Sequence, residues 1–237
     1  TSLTWSGGTM TGGGTTVVAT GASLTISGSQ TLDGRTFTNN SASGLWTGNG
    51  TLTLHNGSVF NNATGAVLEA QGDGTLTQNF NGQTFNNAGT FRKTTGTGTT
   101  TISAGGFTFN NTGTLDIQSG SVAMSAVLNN SGAVTLAAGR TLTFSGSASG
   151  SGGGTYTLAS GSLVDLTAGT QTFTAGADIA GAGLFKVSGG TMTVSAPMAA
   201  DNLAFTGGTL NGAGTLTVDT SLTWSGGTMT GGGTTVV

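Results

Sequence analysis

One histidine, eight carboxylates and five cations are all that this 237-residue chain offers for acid–base, nucleophilic or metal chemistry. His55 stands in Leu52-Thr53-Leu54-His55-Asn56-Gly57, where alternation sets it opposite Leu54 and outward. A zinc site needs several ligands in one cluster, and a serine triad needs a histidine oriented by an acid. The many serines therefore read as surface hydroxyls. Glycan cleavage would need two carboxylates, or an acid and a base, converging on one face. Asp201 and Asp219 are spaced to meet on neighbouring layers, and Glu69 and Asp73 to meet across a turn. Solvation or turn capping is the preferred account of these acids, and of Asp33, Asp116, Asp165 and Asp178. Arg92-Lys93 reads as a local charged edge. The Gly12–Gly14 and Gly152–Gly154 runs lack the Lys-Ser/Thr of a phosphate loop. Gly72-Asp73-Gly74 has one calcium-type carboxylate without the acidic nonapeptides of a calcium solenoid. With no cysteine, disulfides and thiolate chemistry are excluded. The expectation is a non-enzyme without catalytic residues, cofactor or metal.

The partner classes narrow in the same way. Arg35, Arg92, Lys93, Arg140 and Lys186 are scattered in a chain of net charge −3, which builds no phosphate-tracking groove. No apolar run reaches the length of a membrane helix, so neither nucleic acid nor membrane insertion is expected. Only 13 of the 237 residues are charged, against roughly a quarter in ordinary domains. Yet 35% are hydrophobic and recur regularly, which points to an ordered chain solvated by hydroxyls and amides.

What would position such residues is β-structure. The chain holds 46 glycines, and glycine costs about 1 kcal/mol in a helix interior. A period of two recurs instead, as in Thr51-Leu52-Thr53-Leu54, Thr141-Leu142-Thr143-Phe144 and Thr215-Leu216-Thr217-Val218. An Asn-Asn pair follows an apolar residue at Phe60-Asn61-Asn62, Phe85-Asn86-Asn87, Phe109-Asn110-Asn111 and Leu128-Asn129-Asn130, with a looser copy at Phe37-Thr38-Asn39-Asn40. The first asparagines, Asn39, Asn61, Asn86, Asn110 and Asn129, recur at intervals of 22, 25, 24 and 19. That spacing is the mark of a solenoid, long enough to circle a small core and return one layer higher. A β-sandwich also uses short strands and glycine turns, but its hairpins do not demand one signature at coil-length intervals. The five asparagines are expected to form a corner ladder, since asparagine suits tight corners and amide ladders. Phe37, Phe60, Phe85, Phe109 and Leu128 are expected to stack inward beside it.

A longer repeat overlies the short one. Thr1 to Val18 return unchanged as Thr220 to Val237, an offset of 219. The expected domain organisation is a single continuous solenoid segment over 1–237, from a tandem array with a unit of about 219 residues. Ten or eleven coils at ~4.8 Å would rise roughly 50 Å. No polar cap is evident at either end, which fits a stack continued by the next unit. Ser147 to Gly154, reading SASGSGGG, is the best candidate for a bulging loop or corner, and Pro197 for a turn. Unequal Thr-x-Thr spacings argue against an ice-docking face.

The Phe-Asn-Asn-x-Gly-x-apolar pattern of Phe85 to Phe91 and Phe109 to Leu115 resembles repeats of bacterial surface adhesins, of the filamentous-haemagglutinin-like and autotransporter-passenger type. The resemblance implies a right-handed parallel β-helix exported to the bacterial cell surface. Its implied roles are adhesion, cell contact or display of a distal module. The functional expectation is an extracellular structural stalk or filament repeat, partnered end to end by copies of itself. The alternative is a direct adhesin module binding glycans, cell-surface components or neighbouring filaments through its side face.

Overall fold

The computed structural model describes residues 1–79, 82–103 and 106–237. It is an all-β parallel solenoid of about eleven coils, with no helix among the described residues. Each of the first nine coils has three short strands. The first coil runs Ser2–Trp5, Gly8–Thr11 and Thr15–Val18, and the second Ser23–Ser27, Gln30–Asp33 and Thr36–Asn39. Every described strand pairing is parallel, and each strand lies on its counterpart one coil away: Ser2 on Ser23, Gly8 on Gln30, Thr15 on Thr36. Three faces result, here called first, second and third in chain order.

Coil length varies without disturbing this order. Val67 pairs with Thr90, a coil of 23, whereas Ala199 pairs with Thr217, a coil of 18. The difference is taken up at corners. In the last two coils the strands Met198–Gly212 and Thr215–Met229 turn their corners inside the ladder, and the register shifts after Ala200 and Phe205. Such bulges let a strand bend without leaving its neighbour. Pro197 lies in the bend before Met198, where no central ladder bond is required of it.

Alternation packs the interior. Thr36-Phe37-Thr38-Asn39 buries its second and fourth residues, and the same pattern holds for Val59–Asn62, Thr84–Asn87, Thr108–Asn111 and Val127–Asn130. Phe37, Phe60, Phe85, Phe109 and Leu128 consequently stand in register. The four rings are 4.8, 4.8 and 4.9 Å apart, nearly parallel between Phe60 and Phe109. That distance is the strand separation itself, so backbone pairing and ring stacking demand the same translation. Phe91, from the first face, sets its edge against both Phe85 and Phe109 at 5.8 Å.

Ser149–Gly152, expected as a loop or corner, is a strand on the third face. Its glycines are needed for close approach. A Cβ on Gly150 would come within 2.2 Å of the Leu128 carbonyl, and one on Gly152 within 1.7 Å of the Asn130 carbonyl. Gln171, in register with Gly150, reaches down past it and donates to the Leu128 carbonyl at 3.5 Å.

Removing one ring from the stack should open a cavity between two layers that the backbone prevents from closing. Phe85→Ala is expected to cost about 3–5 kcal/mol in urea unfolding. The outward Thr84→Ala next to it should stay within about 0.5 kcal/mol.

Candidate functional site

The third face carries two amide ladders, not one. The second asparagine of each strict pair points inward, joined by Asn39 of the looser copy: Asn39, Asn62, Asn87, Asn111 and Asn130 are all buried and in register. Asn39, Asn62, Asn87 and Asn111 each donate one Nδ2 hydrogen to the next coil's Oδ1, at 2.9, 2.8, 2.7 and 2.8 Å in turn, ending on Asn130. Through Asn111, each donates the other to a first-face carbonyl, of Val67, Thr90, Thr114 and Ala133 in turn. The lowest Oδ1, on Asn39, accepts from the Ser41 N–H at 2.9 Å. A buried amide without partners would cost more than its bonds return, so the ladder is tolerable only because it is nearly complete.

The first asparagines of the strict pairs, Asn61, Asn86, Asn110 and Asn129, form a half-buried outer ladder running the other way. Asn129 donates to Asn110 at 3.0 Å, Asn110 to Asn86 and Asn86 to Asn61 at 2.9 Å each, and Asn61 to the Thr38 hydroxyl at 3.4 Å. Inner amides thus donate up the stack and outer amides down it. The two lines of aligned dipoles oppose one another while each polarises its own members.

This geometry revises the expected corner ladder in two respects. Asn61, Asn86, Asn110 and Asn129 belong to one column, but Asn39 pairs with Asn62 and stands in the inner one. Thr38 takes the outer position in that coil. The ladder asparagines are also strand residues. Among described non-glycine residues only Asn56 has positive φ, at 49°, in the turn after His55, and its Nδ2 donates to Asp33 at 2.6 Å.

Both ladders stop at Ser149–Gly152. The outer Asn129 Oδ1 accepts from the Ser151 N–H at 3.3 Å. Gly152 brings no amide above Asn130, and Phe173 follows it in the column. Among the described residues neither Asn130 Nδ2 nor the Tyr156 hydroxyl completes a hydrogen bond of good geometry. Burial pushes the Tyr156 phenol up, and the Asn130 amide offsets only part of this. An open groove lies along the outer ladder at this point, lined by Asn86, Asn110, Asn129, Thr112, Ser131 and Ser151.

The charged residues are organised by the same register. Glu69, Arg92 and Asp116 occupy one outward column of the first face, negative, positive, negative. Arg92 Nε meets Asp116 at 3.1 Å, while Glu69 accepts from Gln71 and Thr94. Lys186 lies over Asp165 at 3.1 Å on the second face. Asp201 accepts from the Gly181 N–H one coil below at 2.6 Å. His55 stands in register between Asp33 and Asn79, opposite the buried Leu54. Among the described residues no group of three or more His, Cys, Asp or Glu is placed to hold a metal ion.

Lys93 departs from the charged edge expected of it. Alternation places it on the side of Phe91, and it is fully buried in register between Ala70 and Ile117. Its ammonium donates to the Gly72 carbonyl at 2.9 Å, Asp73 Oδ1 at 2.7 Å and the Thr100 hydroxyl at 2.9 Å. Glycines make the space. A Cβ on Gly96 or Gly98 would sit 2.4 or 2.6 Å from the Asp73 carboxylate, and one on Gly120 would sit 2.9 Å from Lys93 Cε. The carboxylate of Gly72-Asp73-Gly74 is thereby committed to an internal cation.

The hydrogen bond from Lys93 holds the Asp73 carboxyl below its ordinary value of 3.8, aided by the lysine's charge and the Gly98 N–H against the cost of desolvation. A carboxyl depressed in the folded state stabilises above the ordinary value, and that stabilisation is lost as pH falls through the folded value. Asp73→Ala is therefore expected to lower the unfolding midpoint most near neutral pH. The gap to the unmodified chain should narrow below pH 3.8. In urea unfolding, Asn87→Ala strands Asn62 Nδ2 and Asn111 Oδ1 and should cost about 3–5 kcal/mol, against about 1 for Asn86→Ala on the outer ladder.

No family model, curated protein or solved structure matches the chain. The reading of its site therefore rests on these ladders, columns and pairs.

Proposed function

We propose that the chain is a structural stalk or filament repeat of a secreted bacterial surface protein, standing outside the cell. One observation carries this reading. The segment Thr1 to Val18 and its twin Thr220 to Val237 both fold as strands of the solenoid, Ser2–Trp5 and the first three residues of Gly8–Thr11 recurring within Thr215–Met229, and the first three of Thr15–Val18 as Thr234–Val236. In both places they pair in parallel with an adjacent coil of the solenoid. A repeat that re-enters its own fold at the end of each unit makes an uninterrupted shaft. Three further features support it. The polar chemistry is spent on coil-to-coil bonds, the ion pairs join neighbouring coils, and the surface of hydroxyls and amides solvates the rod at little net charge.

A second reading has its own observation. The groove along Asn86, Asn110 and Asn129 presents amides and hydroxyls in a row, the donor and acceptor types that hydrogen-bond sugar hydroxyls. Side-face adhesion to glycans or to neighbouring filaments would use that groove.

Electron microscopy of a chain of three tandem 219-residue units, paired with a glycan-array screen of the same protein, tests both. The stalk is expected to appear as straight rods lengthening by roughly 50 Å per unit. Globular beads on flexible joints would contradict it. Glycan capture abolished by Asn110→Ala together with Asn129→Ala would favour adhesion.

A further inference from the structure

The repeated segment occurs twice in one structure, and the two copies occupy different faces. Leu3 begins a column of the first face that rises through Leu24, Gly44, Leu68, Phe91, Leu115, Val134, Tyr156 and Ile179 to Ala200 and Val218. Leu222, its twin, is not in that column. It lies on Leu203, and Trp224 on Phe205, in the second face, whose column descends through Val187, Leu166 and Phe144 to Leu52 and Gln30. The rest of the segment is displaced likewise. Gly8–Thr11 is on the second face, whereas Thr228 and Met229 pair with Thr209 and Leu210 on the third. Thr15–Val18 is on the third face, whereas Thr234–Val236 pairs with Thr215–Thr217 on the first. From Ser2 to Ser221 the chain completes ten coils and one face more.

The two copies also display the two halves of a joint. Trp5 is covered from above: it is in register with Ile26, stacks on Phe37 at 5.8 Å, and is 5% exposed. Trp224 is covered from below, stacked on Phe205 at 4.7 Å, and is 37% exposed. Met229 and Val237 of the same copy are 51% and 80% exposed. A cleft at this end is lined by Val194, Leu210, Leu216 and Met229. What seals residues 1–18 is the coil 23–39, with Ile26 over Trp5, Leu32 over Met10 and Asn39 over Val18.

We infer that the surface formed by residues 220–237 is an interaction site for residues 23–39 of a further copy of this unit, and that each copy is turned by one face relative to the copy below it. The inference rests on the stalk reading and adds its geometry. At the joint the indole is held between Phe205 below and the Ile26–Phe37 coil above, each contact already made by one of its twins. Because a unit is ten coils and one face, the first face of one copy sits on the second face of the copy below it. Its amide-ladder face sits on that copy's first face, and three units restore the starting orientation. Any feature of one face, the Asn110 groove included, is thus presented on three sides in turn.

The chain has no cysteine, so Ser160→Cys, in an exposed turn, gives one labelling point per unit. A three-unit protein carrying this change in every copy would be labelled with biotin maleimide and streptavidin and imaged by electron microscopy. Straight rods whose labels leave from three different sides, advancing one face per unit, are the expected result. Straight rods with all labels on one side would overturn the rotation and leave the stalk intact. Rods that bend freely at unit boundaries would overturn the sealed joint and the stalk reading together.

Discussion

Parallel strands stacked at about 4.8 Å impose a demand that ordinary globular cores do not. At every position the side chain must accept another directly above and below it, at a separation fixed by the backbone. Flat rings meet this demand by stacking, and amides by donating to the next oxygen. Charged groups meet it where an opposite charge or a hydrogen-bond donor stands in the adjacent coil. The Phe37–Phe109 stack, the Asn39–Asn130 ladder and the Glu69–Arg92–Asp116 column are three solutions to one geometric constraint. Glycine is a fourth, used where a neighbouring carbonyl or carboxylate leaves no room for a Cβ, as at Gly98, Gly150 and Gly152.

The constraint explains how so few charged residues serve a chain of this length. Three of the five cations form ion pairs with an acid from another coil or the corner next to it. Lys93 is the extreme case, an ammonium inside the solenoid whose acceptors come from the turn around Gly72 and Asp73 and from Thr100. A buried charge of this kind adds little net stability over an apolar residue, but a shifted register would strand it.

Much of this was legible in the residues alone. The Phe-Asn-Asn motif marks coil length and core side together, so Phe60, Phe85, Phe109 and Leu128 are found in one column without coordinates. The looser copy misleads because Phe37 is followed by a threonine: counting first asparagines puts Asn39 with Asn61, whereas counting from the phenylalanine puts it with Asn62. Lys93 was readable too, since it lies two residues from Phe91 on an alternating strand. Its charge argued for the surface more loudly than its parity argued for the core. The vertical charge pairs needed the asparagine spacing to be applied to Glu69, Arg92 and Asp116, which are 23 and 24 apart. The strand at Ser149–Gly152 was illegible, because its glycines answer to carbonyls of the coil below, and composition carries no trace of them. The face occupied by the second copy of the repeated segment was equally hidden, since the coils differ in length and keep no constant count.

The inner ladder concentrates all of this in a few atoms, because its amide hydrogens are bonded only if five coils are in register at once. Hydrogen exchange of the side-chain amides of Asn62, Asn87 and Asn111, followed by NMR, reads that condition directly. Exchange as slow as that of the backbone N–H groups of Phe60, Phe85 and Phe109 is the expected result. Side-chain amides exchanging at the rate of a solvent-exposed asparagine would contradict the stacked, in-register solenoid.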